Sequence, residues 1–474
     1  VGRAGVVLAA GLLAGGIGLL AARPTGNRYF GDEWFTLGIN LRVNRTLGIG
    51  AEPTVFRPPL YPAFVAGMVA LLPAPPGLRD TWLTFPWSSD LAGLPQVTEP
   101  AWMEAAARRV YAGQVVLTAA TAVLLSLLVG LLAGEPLGLL AGLVYGTSGY
   151  ALILSGTLFY GTLHLFFLVL VSLLLALALR HETAGRWLLA GFALGVASLA
   201  RPVTLLVPVL LAPVLAVRYP LGPAVRNLLA TAAGFLLVLL PWSARNTSVA
   251  GRFIPVNAQG WLLLYASTVA VHPSNPAGYN WGPVQPALEE VYFEATGERQ
   301  PGYAPLVRHI VELDDVCRRA ALANLRADPG PYLRNALGTL GTLSLDMDWI
   351  RLSIFELVQV PSGKPRDWGK VLSPTPLTRA FVLYVWVLTA LSAVGFWRGF
   401  LRRDWAIVGP MVVFLSVALS HALTWMDPNY YYAKWPFLFV FAFAGIAPSD
   451  KWRGVLPWLV AAPSVLLTLA LLLG

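Results

Sequence analysis

Apolar residues run through this chain in long unbroken stretches, and polar residues collect in the gaps between them. Stretches near 6–22, 108–131, 137–153, 158–179, 187–200, 203–217, 227–242, 379–397, 405–424, 434–447 and 455–473 read as about eleven membrane-crossing helices. Two longer intervals interrupt the alternation of span and short turn. In the first, 23–105, Phe35, Ile39, Val43 and Leu47 recur at steps of four. That stripe predicts an amphipathic helix over 34–47, lying along the membrane surface and ended by Gly48 and Gly50. The apolar run 60–72 is too short to cross and reads as interfacial or re-entrant. Residues 73–100, rich in proline and tryptophan, read as an ordered loop without regular structure.

In the second interval, Leu306, Ile310, Leu313, Cys317 and Ala320 share one face of a helix expected over 304–327. Asp314 with Arg318 and Asp315 with Arg319 are spaced to pair four apart on it. Asp328-Pro329-Gly330-Pro331 stops that helix, and another begins at Tyr332. The pattern divides the chain into three parts. Residues 1–242 form an N-terminal transmembrane module whose first outer loop is 23–105, 243–376 an outer-face segment with surface helices, and 377–474 the C-terminal transmembrane helices. The expected fold class is an all-α polytopic membrane protein.

Composition agrees with that reading: 57% of the residues are hydrophobic and 12% charged, where soluble domains carry roughly a quarter charged. The net charge of +9 comes mainly from arginine, since Lys364, Lys370, Lys434 and Lys451 are the only lysines. In a membrane chain such an excess is explained by topology and lipid headgroups, so no nucleic-acid partner is called for. Arg3, Arg180, Arg186, Arg218, Arg226, Arg398, Arg402, Arg403, Lys451 and Arg453 would lie inside, with the first span retained and the end outside. Of the carboxylates only Glu135, Glu182, Asp404 and Asp450 fall on that inner side, and none sits in the middle of an expected span. A proton-coupled transporter is expected to keep one there. Cys317 is the only cysteine, so no intrachain disulfide can form.

The outer side therefore carries the candidate chemistry. Asp32-Glu33 follows the first span, and Arg57-Pro58-Pro59-Leu60-Tyr61-Pro62 closes the loop behind it. A carboxylate can take a proton from an acceptor hydroxyl, and an arginine can hold phosphate oxygens with a planar fork of donors. A transferase acting on a lipid-phosphate donor needs both. A purely structural reading stands beside this one. Asp32 suits a helix cap, Glu33 a first helical turn, and Pro58-Pro59 an ordinary helix start.

Further motifs follow in order: Leu199-Ala200-Arg201-Pro202, Pro241-Trp242-Ser243-Ala244-Arg245-Asn246, Gly251-Arg252-Phe253-Ile254-Pro255-Val256, and Asn429-Tyr430-Tyr431-Tyr432-Ala433-Lys434-Trp435-Pro436-Phe437. With Asp32-Glu33 and the Arg57 motif, their order and common side resemble the GT-C superfamily of polyprenyl-phosphate-dependent glycosyltransferases. The branch they look most like holds the protein O-mannosyltransferases and lipid A aminoarabinose transferases. The resemblance implies a sugar on a polyprenyl phosphate as donor, with Asp32 as general base and Glu33 as acceptor-orienting partner. It implies an inverting transfer to a lipid, glycan or protein hydroxyl, in which Arg57, Arg201, Arg245 and Lys434 neutralise the departing phosphate. Tyr61, Asn246, His164, Tyr430 and Tyr431 become candidate substrate-binding residues.

The late loop departs from the family's arginine-tyrosine pair, and the turn before the fourth span lacks the family's glutamate. A noncatalytic GT-C-like subunit and a lipid-linked sugar transporter or flippase therefore remain as alternatives. Arg201, Arg245 and Lys434 could equally anchor span ends, and His164 could serve only a neighbouring hydrogen bond. His272 and His309 lack zinc-ligand spacing. Asp346 and Asp348 leave a divalent cation open, although a turn between helices explains them as well. No tightly held metal or other cofactor is expected. The arginine- and alanine-rich composition points to a bacterial plasma membrane, with the site facing the periplasm or exterior.

Overall fold

The computed structural model describes residues 33–74, 100–156, 158–269, 281–297, 309–345, 376–402, 404–424 and 432–445. Within them the architecture is helical apart from one two-stranded hairpin. Five helices are long and apolar enough to cross a membrane among the described residues. They lie in α3 (Pro100–Ala133), α6 (Gly161–His181), α9 (Leu221–Ala250), α14 (Pro376–Arg402) and α15 (Trp405–Leu423). The shorter apolar helices α7 (Ala184–Ala200), α8 (Val207–Arg218) and α16 (Trp435–Ala444) pack among them. The expected spans at 6–22 and 455–473 lie outside the described residues.

Several expected spans take a different form. The stretch 137–153 is divided into α4 (Glu135–Gly146) and α5 (Gly149–Ser155). At the break Ser148 donates to the Tyr145 carbonyl and accepts from Trp435 Nε1. A hydroxyl can thus hold a turn that apolar periodicity does not register. The span expected to end at 242 continues through Pro241 to Ala250, so Arg245 and Asn246 lie on helix α9 rather than in a loop. Helices α7 and α9 cross at glycine contacts. A Cβ on Gly191 would stand 2.0 Å from the Thr231 carbonyl oxygen, and one on Gly234 would stand 2.1 Å from that of Leu188. Side chains there would hold the two backbones apart.

The first interval begins with α1 (Glu33–Asn44), the hairpin β1 (Gly48–Ile49) with β2 (Glu52–Pro53), and α2 (Leu60–Met68). The expected one-sided stripe on α1 is corrected: Trp34, Phe35, Thr36, Leu37, Ile39 and Asn40 are all buried. Phe35, Ile39 and Val43 join the apolar core of the helix bundle, whereas Leu37 joins a second core. An apolar period reports one buried face, and α1 is covered on two. Asn40 donates to the carbonyls of Thr46 and Gly50, which ties the helix end to the hairpin. Arg45, at φ 57°, turns the chain out of the helix.

The second core joins this loop to α10 (Gly260–Val269), α11 (Trp281–Thr296) and α12 (Ile310–Ala327). Ile310, Leu313, Val316, Cys317 and Ala321 fill its centre from α12; Leu306 lies outside the described residues. The expected i,i+4 ion pairs on α12 are replaced. Asp314 and Asp315 both pair with Arg252, Arg318 reaches Asp315 from three positions away, and Arg319 pairs with Glu294. Tertiary partners displace local ones because the second core brings Arg252 and Glu294 against α12. Burial pushes the Cys317 thiol up to about 12. Helix α13 (Pro329–Leu345) begins at Pro329, ahead of the expected start at Tyr332, because proline is tolerated in a first helical turn.

Candidate active site

The bundle core and the second core meet around a cavity of about 530 Å³. Two proline-coupled arginines face it. Pro202 disfavours helical backbone at Arg201, so α7 ends at Ala200 and Arg201 turns extended, with φ −159° and ψ 132°. Its side chain, 8% exposed, leaves the helix end and enters the cavity wall. Arg57 likewise precedes Pro58-Pro59 and lines the cavity from the loop before α2.

Aromatic rings link the two cations. Arg57 lies 5.1 Å from the Trp34 ring, Trp34 4.6 Å from Tyr160, and Arg201 5.2 Å from Tyr160. A guanidinium over an aromatic face is attracted by the ring quadrupole. Hydrogen bonds fix the rest of each fork. Arg57 donates to Gln259 Oε1 at 2.9 Å, and Arg201 to the Tyr432 hydroxyl oxygen at 3.1 Å. The Tyr432 hydroxyl lies 2.8 Å from His164 Nδ1, and His164 Nε2 has no hydrogen-bond partner among the described residues.

The opposite wall is the segment from Arg252 to Trp261, with Asp314 behind it and Ser420, His421, Leu423 and Thr424 beside it. Helix α9 braces that segment. Asn246 donates to the carbonyls of Ile254 and Val256, Trp242 to Val256, and Ser243 to Pro255. Asp314 accepts from the backbone N–H groups of Trp261 and Leu262, which fills the first turn of α10 with a carboxylate. Burial raises its pKa, opposed by those two N–H groups and by Arg252. Among the described residues lining the cavity, Asp314 is the only carboxylate.

Of the candidates named from sequence, Arg57 and Arg201 are thus brought together. Tyr61 stands behind Trp34 and bonds to Gln114 at 2.8 Å. His164 lies beneath Arg201 without lining the cavity. Arg245 does not line the cavity either; it donates to the carbonyls of Thr54 and Leu47 and to Asn246, over the Trp242 ring. Lys434 is buried at the start of α16, again outside the lining. Asp32, Tyr430 and Tyr431 lie outside the described residues, as do His272, Asp346, Asp348 and the side chain of Glu33. His309 packs against Tyr292. No group of three or more His, Cys, Asp or Glu residues able to hold a metal occurs among the described residues.

Sequence reasoning missed Tyr160, Gln259, Asp314, His421 and Tyr432. Tyr432 was in view as the third residue of a tyrosine run, and its contact with Arg201 is what places it at the site. Gln259 carried no signal, because its importance depends on two segments 202 positions apart meeting.

In overall arrangement the chain is similar to the Archaeoglobus fulgidus oligosaccharyltransferase solved with zinc and sulfate. The identity is 11% and the TM-score 0.49, over 98% of this chain and 52% of that one. It is also similar to AglB, the oligosaccharyltransferase of that archaeon, in complex with an inhibitory peptide and a dolichol-phosphate. There the identity is 13% and the TM-score 0.47, over 98% and 55% of the two chains. A third likeness is to ArnT from Cupriavidus metallidurans bound to undecaprenyl phosphate, at 16% identity and a TM-score of 0.36, over 88% and 76%. The chain spans about half the length of the oligosaccharyltransferases it matches. No protein-family model and no curated protein matches it.

Proposed function

We propose that the chain is an integral membrane glycosyltransferase. It moves a sugar from a polyprenyl-phosphate donor to a hydroxyl of a lipid, glycan or protein on the outer face of a bacterial plasma membrane. The observation that carries this reading is the convergence of Arg57 and Arg201 on one cavity, linked through Trp34 and Tyr160. Two guanidiniums held on rings form a preorganised clamp for a phosphate that gains charge as the glycosidic bond breaks. Trp34 lines the same cavity, and the carboxylate pair Asp32-Glu33 immediately precedes it in the chain.

In this reading Asp32 takes the acceptor hydroxyl proton. The acceptor oxygen bonds to the anomeric carbon as that carbon's bond to the donor phosphate oxygen breaks, with inversion. The phosphate leaves with the electron pair toward Arg57 and Arg201. Arg245 serves instead to hold the hairpin, and Asn246 to hold the 254–256 wall.

The test is the lipid content of membranes from cells lacking the chain. A polyprenyl-phosphate sugar should accumulate, and the wild-type chain should clear it while Asp32→Asn should not. If Asp32→Asn clears the lipid as well as wild type does, the catalytic reading is wrong and the chain serves as a structural subunit.

A further inference from the structure

Resting on that reading of the cavity, the geometry points to Gln259 as a positioning residue that aims Arg57 at the donor phosphate. Gln259 is 6% exposed and lines the cavity. Its Oε1 accepts from Arg57 Nη1 at 2.9 Å and from Asn257 Nδ2 at 3.1 Å. Two donors converging on one atom fix which way the carboxamide faces, since only its oxygen can accept both. The oxygen side therefore belongs to Arg57.

The segment that carries Gln259 is stitched to the segment that carries Arg57. Ala258 N–H donates to the Val55 carbonyl at 2.8 Å, and Asn257 Nδ2 to the Phe56 carbonyl at 3.1 Å. Behind it, the Gln259 carbonyl accepts from Leu263 N–H at the start of α10, whose first turn Asp314 holds. Arg57 itself sits on a loop, with its guanidinium over Trp34 and Phe56. Rings fix the plane of a guanidinium loosely in rotation, whereas a directional acceptor fixes which edge faces outward. Gln259 supplies that direction from the braced wall.

The choice of an amide has a chemical consequence. A glutamate would accept the same two hydrogen bonds, yet its charge would offset Arg57 beside the phosphate. An amide orients the cation and adds no negative charge.

The experiment uses the purified full chain in lipid nanodiscs, with undecaprenyl phosphate and undecaprenol as probes and native mass spectrometry as readout. Gln259→Ala should weaken undecaprenyl phosphate binding about tenfold, as loss of one directional bond to a charged group does. Gln259→Glu should weaken it further while leaving the unfolding temperature near wild type, and neither change should move undecaprenol binding. In an Arg57→Ala background, Gln259→Ala should cause no additional loss, because its effect passes through Arg57. Wild-type affinity in Gln259→Glu, or an equal loss from Gln259→Ala with and without Arg57, would overturn the assignment. Equal binding of the two probes by the unsubstituted chain would instead refute the donor site itself, before any variant is compared.

Discussion

Arg57 and Arg201 rest on aromatic rings at the cavity wall and each donate to a neutral oxygen, whereas Arg245 and Arg252 donate to backbone carbonyls and carboxylates. All four occur in motifs that look alike in sequence, each with a proline a few positions away. Their surroundings separate them. Arg245 joins the end of α9 to the hairpin, and Arg252 joins the wall segment to α12. Those two close the wall of the cavity that the first pair serves.

The comparison breaks most visibly if the cavity pair is removed together. Arg57→Ala with Arg201→Ala should lower undecaprenyl phosphate affinity on the order of a thousandfold, two charge-assisted contacts being worth about 4 kcal/mol. Native mass spectrometry against undecaprenol would read this. Arg252→Ala should act on stability instead. It leaves Asp314, whose side chain is 7% exposed, without its cation, at a cost of about 3 kcal/mol. Hydrogen exchange should then rise in α10 and α12 while the helix bundle stays protected.

Arg245→Ala is expected to cost less, about 1–2 kcal/mol, because the Leu47 and Thr54 carbonyls each lose one partner. Thermal unfolding would show it, with the lipid-phosphate preference retained. The smallest effect concerns pH. The folded pKa of Asp314 lies above the reference value of 3.8, so the folded state holds that proton more tightly than the unfolded state does. Its contribution to stability is full below 3.8 and fades as pH rises through the higher folded value. Asp314→Asn should remove that part of the slope from unfolding measured across the window.

Much of the architecture was legible in the chain. Long apolar stretches gave α6 and α15 nearly at their observed limits and most of α3, which starts earlier at Pro100, because a helix crossing lipid must satisfy its backbone internally and carries its signature locally. Arg201-Pro202 and Arg57-Pro58 were readable for a similar reason, since proline restricts the residue before it wherever it stands. Helix α1 was misread because period reports one face and this helix is buried on two. The Asp314 and Asp315 partners were misread because local i,i+4 spacing competes with tertiary contact and lost to Arg252. Gln259 and Tyr432 were illegible as site residues, for each acts on an arginine 202 or 231 positions away. Pairings of that range depend on the folded arrangement.

The most direct measurement is an electron cryomicroscopy map of the full chain in nanodiscs with undecaprenyl phosphate. The account predicts phosphate density within hydrogen-bonding reach of both Arg57 and Arg201, in the cavity that Trp34 and Gln259 line. Phosphate density held instead by Arg245 or Lys434, with the cavity closed by protein side chains, would contradict it.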